Sequence, residues 1–449
     1  MKINPVIFKA YDIRGIYPRE ITEEIAFRAG RAFVQFLAKK KLNIVVGSDN
    51  RFSSPQLKKN LIKGLLSQGA NVVDVGLSTT PMLYFAVAHY GFDGGIEITS
   101  SHNPPQYNGF KMVREEAIPL SEKSGVKDIK ELVIKNKFQT QKAGQIIKKN
   151  ILEDYLKFNF QKFDFDKLKK FKIIIDTGNA VSGILIPALK KKLTKIFPLF
   201  LKLDSSFPNH QPDPLKKENL VSLCREVLKK EADLGLAFDG DGDRIIFVSE
   251  KGEIISADLI SVLISQILLK EKPGLKILFD IRSSRIIKEV IKKNGGKPIL
   301  GRVGHSFIKE KMRKENIYFA GEFSGHYYLK NNYFCEAPLF VLFSLLEEMA
   351  KNTKTISELI KPFQKYFHSE EINFKVQNKE KILNLLEKRF GQKGQILKID
   401  GLRIDFPNWW FCVRPSQTEP LLRMVLEAKT KELLEKNKKE LSSLIEKLS

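Results

Sequence analysis

Three aspartates alternate with glycines in LGLAFDGDGDRIIFV: Asp239, Asp241 and Asp243 follow directly on an apolar run. Carboxylates that close together repel unless a cation or strong donors sit among them. Their hard oxygens suit Mg²⁺ or Ca²⁺. An EF-hand fits poorly: Glu250 falls at the twelfth loop position, but the sixth is Arg244 rather than glycine and the intervening IIFV reads as a strand. A second stretch, TSSHNPPQYNGFK at 99–111, ends the strand-like GGIEI on two hydroxyls, Ser100 and Ser101, beside His102. Serine at a strand end is a turn former or a nucleophile, and the residues alone leave both serines open. No G-x-S-x-G surrounds them, so an acyl-transfer triad is poorly supported. Lys111 offers a cation that could return to the same place. In a third stretch, FAGEFSGHYYLK, Glu322, Ser324 and His326 alternate. They read either as a polar turn or as ligands for sugar hydroxyls, with an imidazole able to move a proton. In CVRPSQTEPLLR, Arg414, Ser416, Gln417 and Thr418 form a surface turn or a phosphate cradle built on a guanidinium fork.

Taken together, a carboxylate metal loop, a hydroxyl nucleophile, a sugar-hydroxyl binder and a phosphate anchor describe phosphoryl transfer on a phosphosugar. Such a transfer needs an in-line nucleophile and cations around the equatorial oxygens. The chain has no GxxxxGK[ST] loop and no kinase HRD/DFG pair, so a nucleotide donor is not indicated. A phosphorylated side chain of the protein can take the donor's place.

The elements that must position these loops alternate between strand and helix. NIVVGSD precedes a helical SPQLKKNLIKGLLSQGA and the strand NVVDVG; FKIIIDTGN precedes a helical VSGILIPALKKKL; LKILFDIRSS precedes RIIKEVIKKNGG. That rhythm belongs to α/β layers with largely parallel sheets, where ligands bind beyond the carboxyl ends of strands. Lysine-rich polar gaps mark boundaries near 136–150, at the hairpin-like 249–255 and near 361–375. They divide the chain into 1–150 with the two-serine loop, 151–252 with the metal loop, 253–367 with the sugar loop, and a C-terminal α+β unit, 368–449. No internal sequence repeat is evident beyond the shared rhythm of the first three segments.

The chain has 449 residues, 43% of them hydrophobic, and a formal net charge of +24. Most lysines lie on the solvated faces of helices such as LKKNLIKGLL, and no basic cluster interleaved with aromatics stands out, which argues against a nucleic-acid-binding protein. A phosphorylated substrate also favours a positive field. Three scattered cysteines, Cys224, Cys335 and Cys412, fit neither a disulfide framework nor a zinc site, and a cytoplasmic protein with no membrane partner is expected.

The four loops in this order, with FKAYDIRG at 8–15 and FPNHQPDPLKKENL at 207–220, resemble the α-D-phosphohexomutases, particularly their phosphomannomutase/phosphoglucomutase branch. The resemblance spans essentially the whole chain. It implies an α/β fold: three related α/β/α mixed-sheet domains plus a C-terminal α+β domain, with the active-site cleft where the four meet. It implies a phosphoserine at Ser101, the serine directly before His-Asn-Pro, and one Mg²⁺ held by Asp239, Asp241, Asp243 and a phosphoserine oxygen. It places Glu322, Ser324 and His326 on the sugar, and Arg414, Ser416, Gln417 and Thr418 on the phosphate that is not being transferred. It puts Arg14, Lys111 and Arg244 near the transferring group and, through GRVGHS, His305 in the cleft. The implied reaction interconverts hexose 1-phosphate and hexose 6-phosphate, of mannose or glucose, through a hexose 1,6-bisphosphate that also serves as activator. Phosphoglucosamine mutase is the nearest alternative, and GEFSGH in place of GEQSGH leans away from it. A metal-dependent sugar phosphatase is a more distant one. Whether the chain is a monomer or a dimer is left open. Four features depart from the family pattern: Arg282 stands where lysine is common, Gln417 where Asn or Gly is common, Ser100 where a smaller residue is usual, and 334–340 lacks the acidic-Ser-Gly pattern.

Overall fold

The computed structural model describes residues 3–39, 41–416 and 421–448. Over these residues the chain forms four β-sheets in sequence order, flanked by helices. The first has the spatial order Ile13–Ile16, Tyr107–Arg114, Gly94–Ile98, Asn43–Ser48, Asn71–Leu77, Ile146–Lys148. The second runs Ile254–Ile255, Ile245–Ser249, Leu234–Phe238, Ile173–Asp176, Ile196–Leu199, and the third Cys335–Glu336, Tyr327–Leu329, Phe319–Gly321, Lys276–Asp280, Lys297–Gly301.

The second and third sheets are topologically identical. In each, three parallel strands are followed by two antiparallel ones. The first repeats that core, with the parallel set Gly94–Ile98, Asn43–Ser48 and Asn71–Leu77 and the antiparallel Tyr107–Arg114, and adds a strand at each edge. A repeat absent from the residue identities is therefore present in the chain path. Its consequence for the site is direct. In all three sheets, the turn from the innermost parallel strand into the antiparallel one carries a polar stretch: 99–106, 239–244 and 322–326. The fourth sheet is antiparallel throughout, and its long hairpin, Trp409–Pro415 into Leu421–Ala428, carries the fourth stretch.

Burial explains the strands. Gly94–Ile98, Ile173–Asp176 and Leu234–Phe238 are buried at every position, as expected of strands covered on both faces, which read as continuous apolar runs. Helices around them show the usual stop and start signals. Glu23–Leu37 opens on Thr22, whose hydroxyl accepts from Ile25 N, and Ala257–Glu271 opens on Ser256 in the same way. Two readings need adjusting. The 136–150 gap contains the edge strand Ile146–Lys148, exposed along its length and recruited by main-chain pairing to Asn71–Leu77. The helix expected over 181–193 starts as a tighter turn, Val181–Leu185, and becomes α-helical only at Ile186–Lys192; Pro187, suited to a first turn, sits at that junction. No helix among the described residues is long and apolar enough to cross a membrane, and the three cysteines are free.

Candidate active site

Ser101 lies just beyond the end of Gly94–Ile98, 3% exposed, with φ at +49°, a left-handed backbone region that residues with a side chain seldom adopt. Its hydroxyl donates to Asp239 Oδ2 at 2.6 Å and lies 3.3 Å from His102 Nδ1. Ser100 is fully buried and its Oγ meets no partner among the described residues. The two serines are thus unequal, and only Ser101 faces the carboxylates. The metal loop comes close enough that a Cβ on Gly240 would stand 2.2 Å from the Ser101 carbonyl oxygen, so glycine is required there.

Ligand oxygens of Asp239, Asp241 and Asp243 all lie within 4.8 Å of one another, and all three residues are buried. Lys111 threads between them, its Nζ donating at 2.6 Å to both Asp241 and Asp243. Thr80, at the start of the helix Thr80–His89, donates from Oγ1 to the same Asp241 oxygen at 2.5 Å, leaving Asp241 Oδ1 buried without a partner among the described residues. Burial, then Asp243 and Asp241, push the Asp239 carboxyl well above its ordinary range. Burial opposes the Lys111 charge, but Asp241 and Asp243 outweigh it and raise its pKa. Three carboxylates, one orphaned oxygen and one ammonium describe a site short of positive charge, and its donors suit a hard divalent cation.

Around this centre stand the remaining cations. Arg14 donates to Asn103 Oδ1 at 2.6 Å and to Asp12 at 2.7 Å, and Arg244 Nε lies 3.9 Å from Asp239. From the third sheet, His326 places Nε2 3.1 Å from Asp243, and Nδ1 3.3 Å from Glu322 and 2.9 Å from Ser324 Oγ. Burial disfavours its charge, yet with carboxylates at both nitrogens its pKa rises to about 9. Arg244 Nε also approaches His326 Nε2 at 3.3 Å, a contact an imidazolium cannot accept; the two carboxylates decide in favour of the protonated ring. Glu322, although buried, is drawn down to about 2 by His326, Arg282 and the Tyr328 hydroxyl. Its oxygens accept from Tyr328 at 2.6 Å and from Gly304 N at 3.0 Å. His305 begins the helix His305–Glu315 with neither ring nitrogen partnered among the described residues and the Tyr11 ring 4.5 Å away; burial, with Lys309, holds it well below the ordinary histidine range.

On the fourth sheet, Arg414 is held by Asp400 at 2.8 Å, and the same Asp400 oxygen accepts from Val303 N at 3.2 Å. The hairpin is thereby tied to the stretch carrying His305. Ser416 is nearly buried, and its carbonyl accepts from Lys379. Gln417 and Thr418 lie outside the described residues. Arg282, odd in sequence, forms a fork on Asp280 and sits 3.9 Å from Glu322 and 3.5 Å from Glu371. In the segment 334–340, Glu336 is fully buried against Lys309 at 2.9 Å.

Several participants were not singled out in the sequence: Asp49 and Arg51 behind the Ser101 loop, Thr99, Thr80 and Asn103. A signal for the first two existed. A charged D-x-R stands directly after an apolar strand in VVGSDNRF and again in LFDIRSS.

Comparison with known proteins finds matches along most of the chain. Residues 5–140, 153–252 and 256–366 match phosphoglucomutase/phosphomannomutase alpha/beta/alpha domains I, II and III, and 371–444 match the C-terminal domain of that family. A phosphomannomutase of Methanocaldococcus jannaschii is 40% identical over 99% of this chain and 98% of its own. A phosphomannomutase/phosphoglucomutase of Pseudomonas aeruginosa is 37% identical over 96% and 94%. The crystal structure of a phosphoglucomutase/phosphomannomutase family protein from Burkholderia thailandensis superposes with a TM-score of 0.91 at 31% identity, covering 99% of this chain and 98% of that one.

Proposed function

The chain belongs to the phosphoglucomutase/phosphomannomutase family and is a hexose-phosphate mutase, and we propose that Ser101 is its phosphoryl carrier, working on mannose or glucose phosphates. The observation that carries the assignment is the 2.6 Å contact of Ser101 Oγ with Asp239, inside a carboxylate cluster suited to a cation.

In the forward direction the P–O bond of phosphoserine 101 breaks and a new P–O bond forms to the 6-hydroxyl of a hexose 1-phosphate. The hydroxyl proton leaves and Ser101 regains its alcohol. The hexose 1,6-bisphosphate turns over in the cleft. Ser101 then takes the phosphoryl group from O1, and hexose 6-phosphate departs. Asp239, Asp241 and Asp243 would hold a Mg²⁺ beside Ser101, and such an ion, when bound, would supply charge neutralisation at the transferring group. Lys111, Arg14 and Arg244 add fixed positive charge there. Since a phosphate carries about −1.5 to −2 charges, the bisphosphate needs such cations on every side to remain bound. Glu322 and Ser324 accept and donate to sugar hydroxyls, and His326, as imidazolium between Asp243 and Glu322, holds the sugar loop against the metal loop. His305, neutral and unpartnered, is the ring free to accept the hydroxyl proton. Arg414 and Ser416, with Gln417 and Thr418, hold the phosphate not in transfer.

The test is a coupled assay with α-glucose, α-mannose and α-glucosamine 1-phosphates and a trace of 1,6-bisphosphate. We expect 6-phosphate product from glucose or mannose. Turnover of glucosamine 1-phosphate alone would transfer the assignment to phosphoglucosamine mutase, and release of inorganic phosphate in place of product would make the protein a phosphatase.

A further inference from the structure

The loop that carries Ser101 is gripped from behind by one side chain. Arg51 follows the strand Asn43–Ser48 and is 1% exposed. Its Nη2 donates to the carbonyls of Ser101 at 2.6 Å and Asn103 at 2.7 Å, and its Nη1 to those of Pro104 at 2.7 Å and Tyr107 at 3.0 Å. Its Nε donates to Asp49 Oδ2 at 3.0 Å. Every N–H of the guanidinium is thereby used, and four of them close on main-chain carbonyls of a single turn. Asp49 is itself fixed, accepting from Arg51 N at 3.1 Å, Ser54 Oγ at 2.7 Å and Thr99 Oγ1 at 2.7 Å. Thr99 Oγ1 in turn accepts from Ser101 N at 2.9 Å. The clamp thus closes on Ser101 from both its amide and its carbonyl.

The repeat shows that this is a specific device and not a general property of the D-x-R position. In the third sheet Asp280 and Arg282 occupy the same topological place, and Arg282 binds Asp280 through its own N–H and Nε as Arg51 binds Asp49. There the guanidinium makes no bond to the carbonyls of 322–326 among the described residues; it turns to Glu371 at 3.5 Å, and the sugar loop is tied instead by Phe323 N to Asp280 at 2.9 Å. The four-carbonyl grip belongs to the loop whose central residue stands at φ +49°.

We propose that Arg51, seated on Asp49, is the positioning residue that holds the 101–107 turn in the one conformation from which Ser101 Oγ faces Asp239. Arg51 bonds to Asp49 and to main-chain carbonyls and, among the described residues, to none of Asp239, Asp241 and Asp243; it acts through the main chain. The inference rests on Ser101 as phosphoryl carrier. Lysine retains the charge but, as a compact ammonium with fewer donors, cannot serve four converging carbonyls. Misplacing a reacting atom by about 1 Å costs about 100-fold in rate.

The experiment uses full-length enzyme labelled with ³²P from glucose 1,6-bisphosphate, in wild-type and Arg51→Lys forms, with folding checked by circular dichroism. Single-turnover transfer from the protein to the sugar is expected to slow about 100-fold in Arg51→Lys, while KM for hexose 1-phosphate changes less than about threefold. A contact that merely supported the fold would lower the melting temperature without splitting kcat from KM. Asp49→Asn, which keeps the side-chain volume but withdraws the seat of the guanidinium, is expected to show the same split more weakly and serves if Arg51→Lys does not fold. A folded variant that transfers phosphoryl within about threefold of wild type, or whose loss lies wholly in KM, overturns the proposal. Wild-type protein carrying no label on Ser101 overturns the underlying reading instead.

Discussion

The end of the cleft where a phosphoryl group changes hands is built differently from the end where the sugar and second phosphate are held. Around Ser101 most polar atoms have a fixed partner: Arg51 uses all its donors, Lys111 spans Asp241 and Asp243, and Thr80, at the start of its helix, donates to the same Asp241 oxygen as Lys111. Among the described residues the exceptions include the Ser100 hydroxyl, Asn50 Oδ1 and Asp241 Oδ1, the last within the carboxylate cluster suited to a cation. At the holding end the sugar loop is also tied, Glu322 by Tyr328 and Gly304 N, but the phosphate-binding Arg414 has, among the described residues, the single carboxylate partner Asp400. Phosphoryl transfer leaves the protein little covalent chemistry beyond positioning and charge, so rigidity is needed where bonds change. A bisphosphate that must turn around needs a grip that can be exchanged between its two phosphates.

The comparison can be broken at either end. Ser101→Ala should abolish mutase turnover by about 10⁴-fold or more, whereas Ser100→Ala should leave it near wild type, because only one hydroxyl faces the carboxylates. Stripping divalent ions with a chelator should cost about 10²- to 10³-fold, restored by Mg²⁺, since three carboxylates would then stand around one ammonium. At the holding end, Arg414→Gln should raise KM about 30-fold with a smaller change in kcat, as loss of one charge-assisted fork weakens binding of the ground and transition states alike.

The smallest effect concerns the sugar loop in the free enzyme. The Glu322 pKa lies near 2 in the folded chain against 4.5 ordinarily. A carboxylate with a depressed folded pKa contributes stability above its unfolded pKa and loses it as the pH falls through the folded one. Glu322→Gln should therefore lower the melting temperature at pH 7 by the equivalent of about 1–2 kcal/mol and by much less at pH 3. Melting curves of the two proteins at both pH values check this, and an equal deficit at both would show that shape rather than charge holds the loop.

The sequence spoke clearly where a residue type has few other uses. Alternating Asp and Gly after an apolar strand announces a carboxylate cluster, and the structure packs it as such. The paired serines were ambiguous because the asymmetry between them is conformational: φ at Ser101 and the reach of Asp239 across 138 positions decide it. Arg51 was passed over because one arginine after a strand looks like any solvated charge until the carbonyls it serves are placed around it. The threefold repeat showed in the residues only as a shared strand-helix rhythm, for a related reason. Sheets 2 and 3 share a path, which apolar runs of many compositions can follow, and only the positions of their polar turns betray the likeness.

The most direct measurement locates the phosphoryl group. Protein incubated with ³²P-labelled glucose 1,6-bisphosphate, digested and sequenced by mass spectrometry, should carry the label on Ser101, and a chase with hexose 1-phosphate should move it into sugar bisphosphate. Label on Ser100, or label on Ser101 that no sugar removes, would contradict the account.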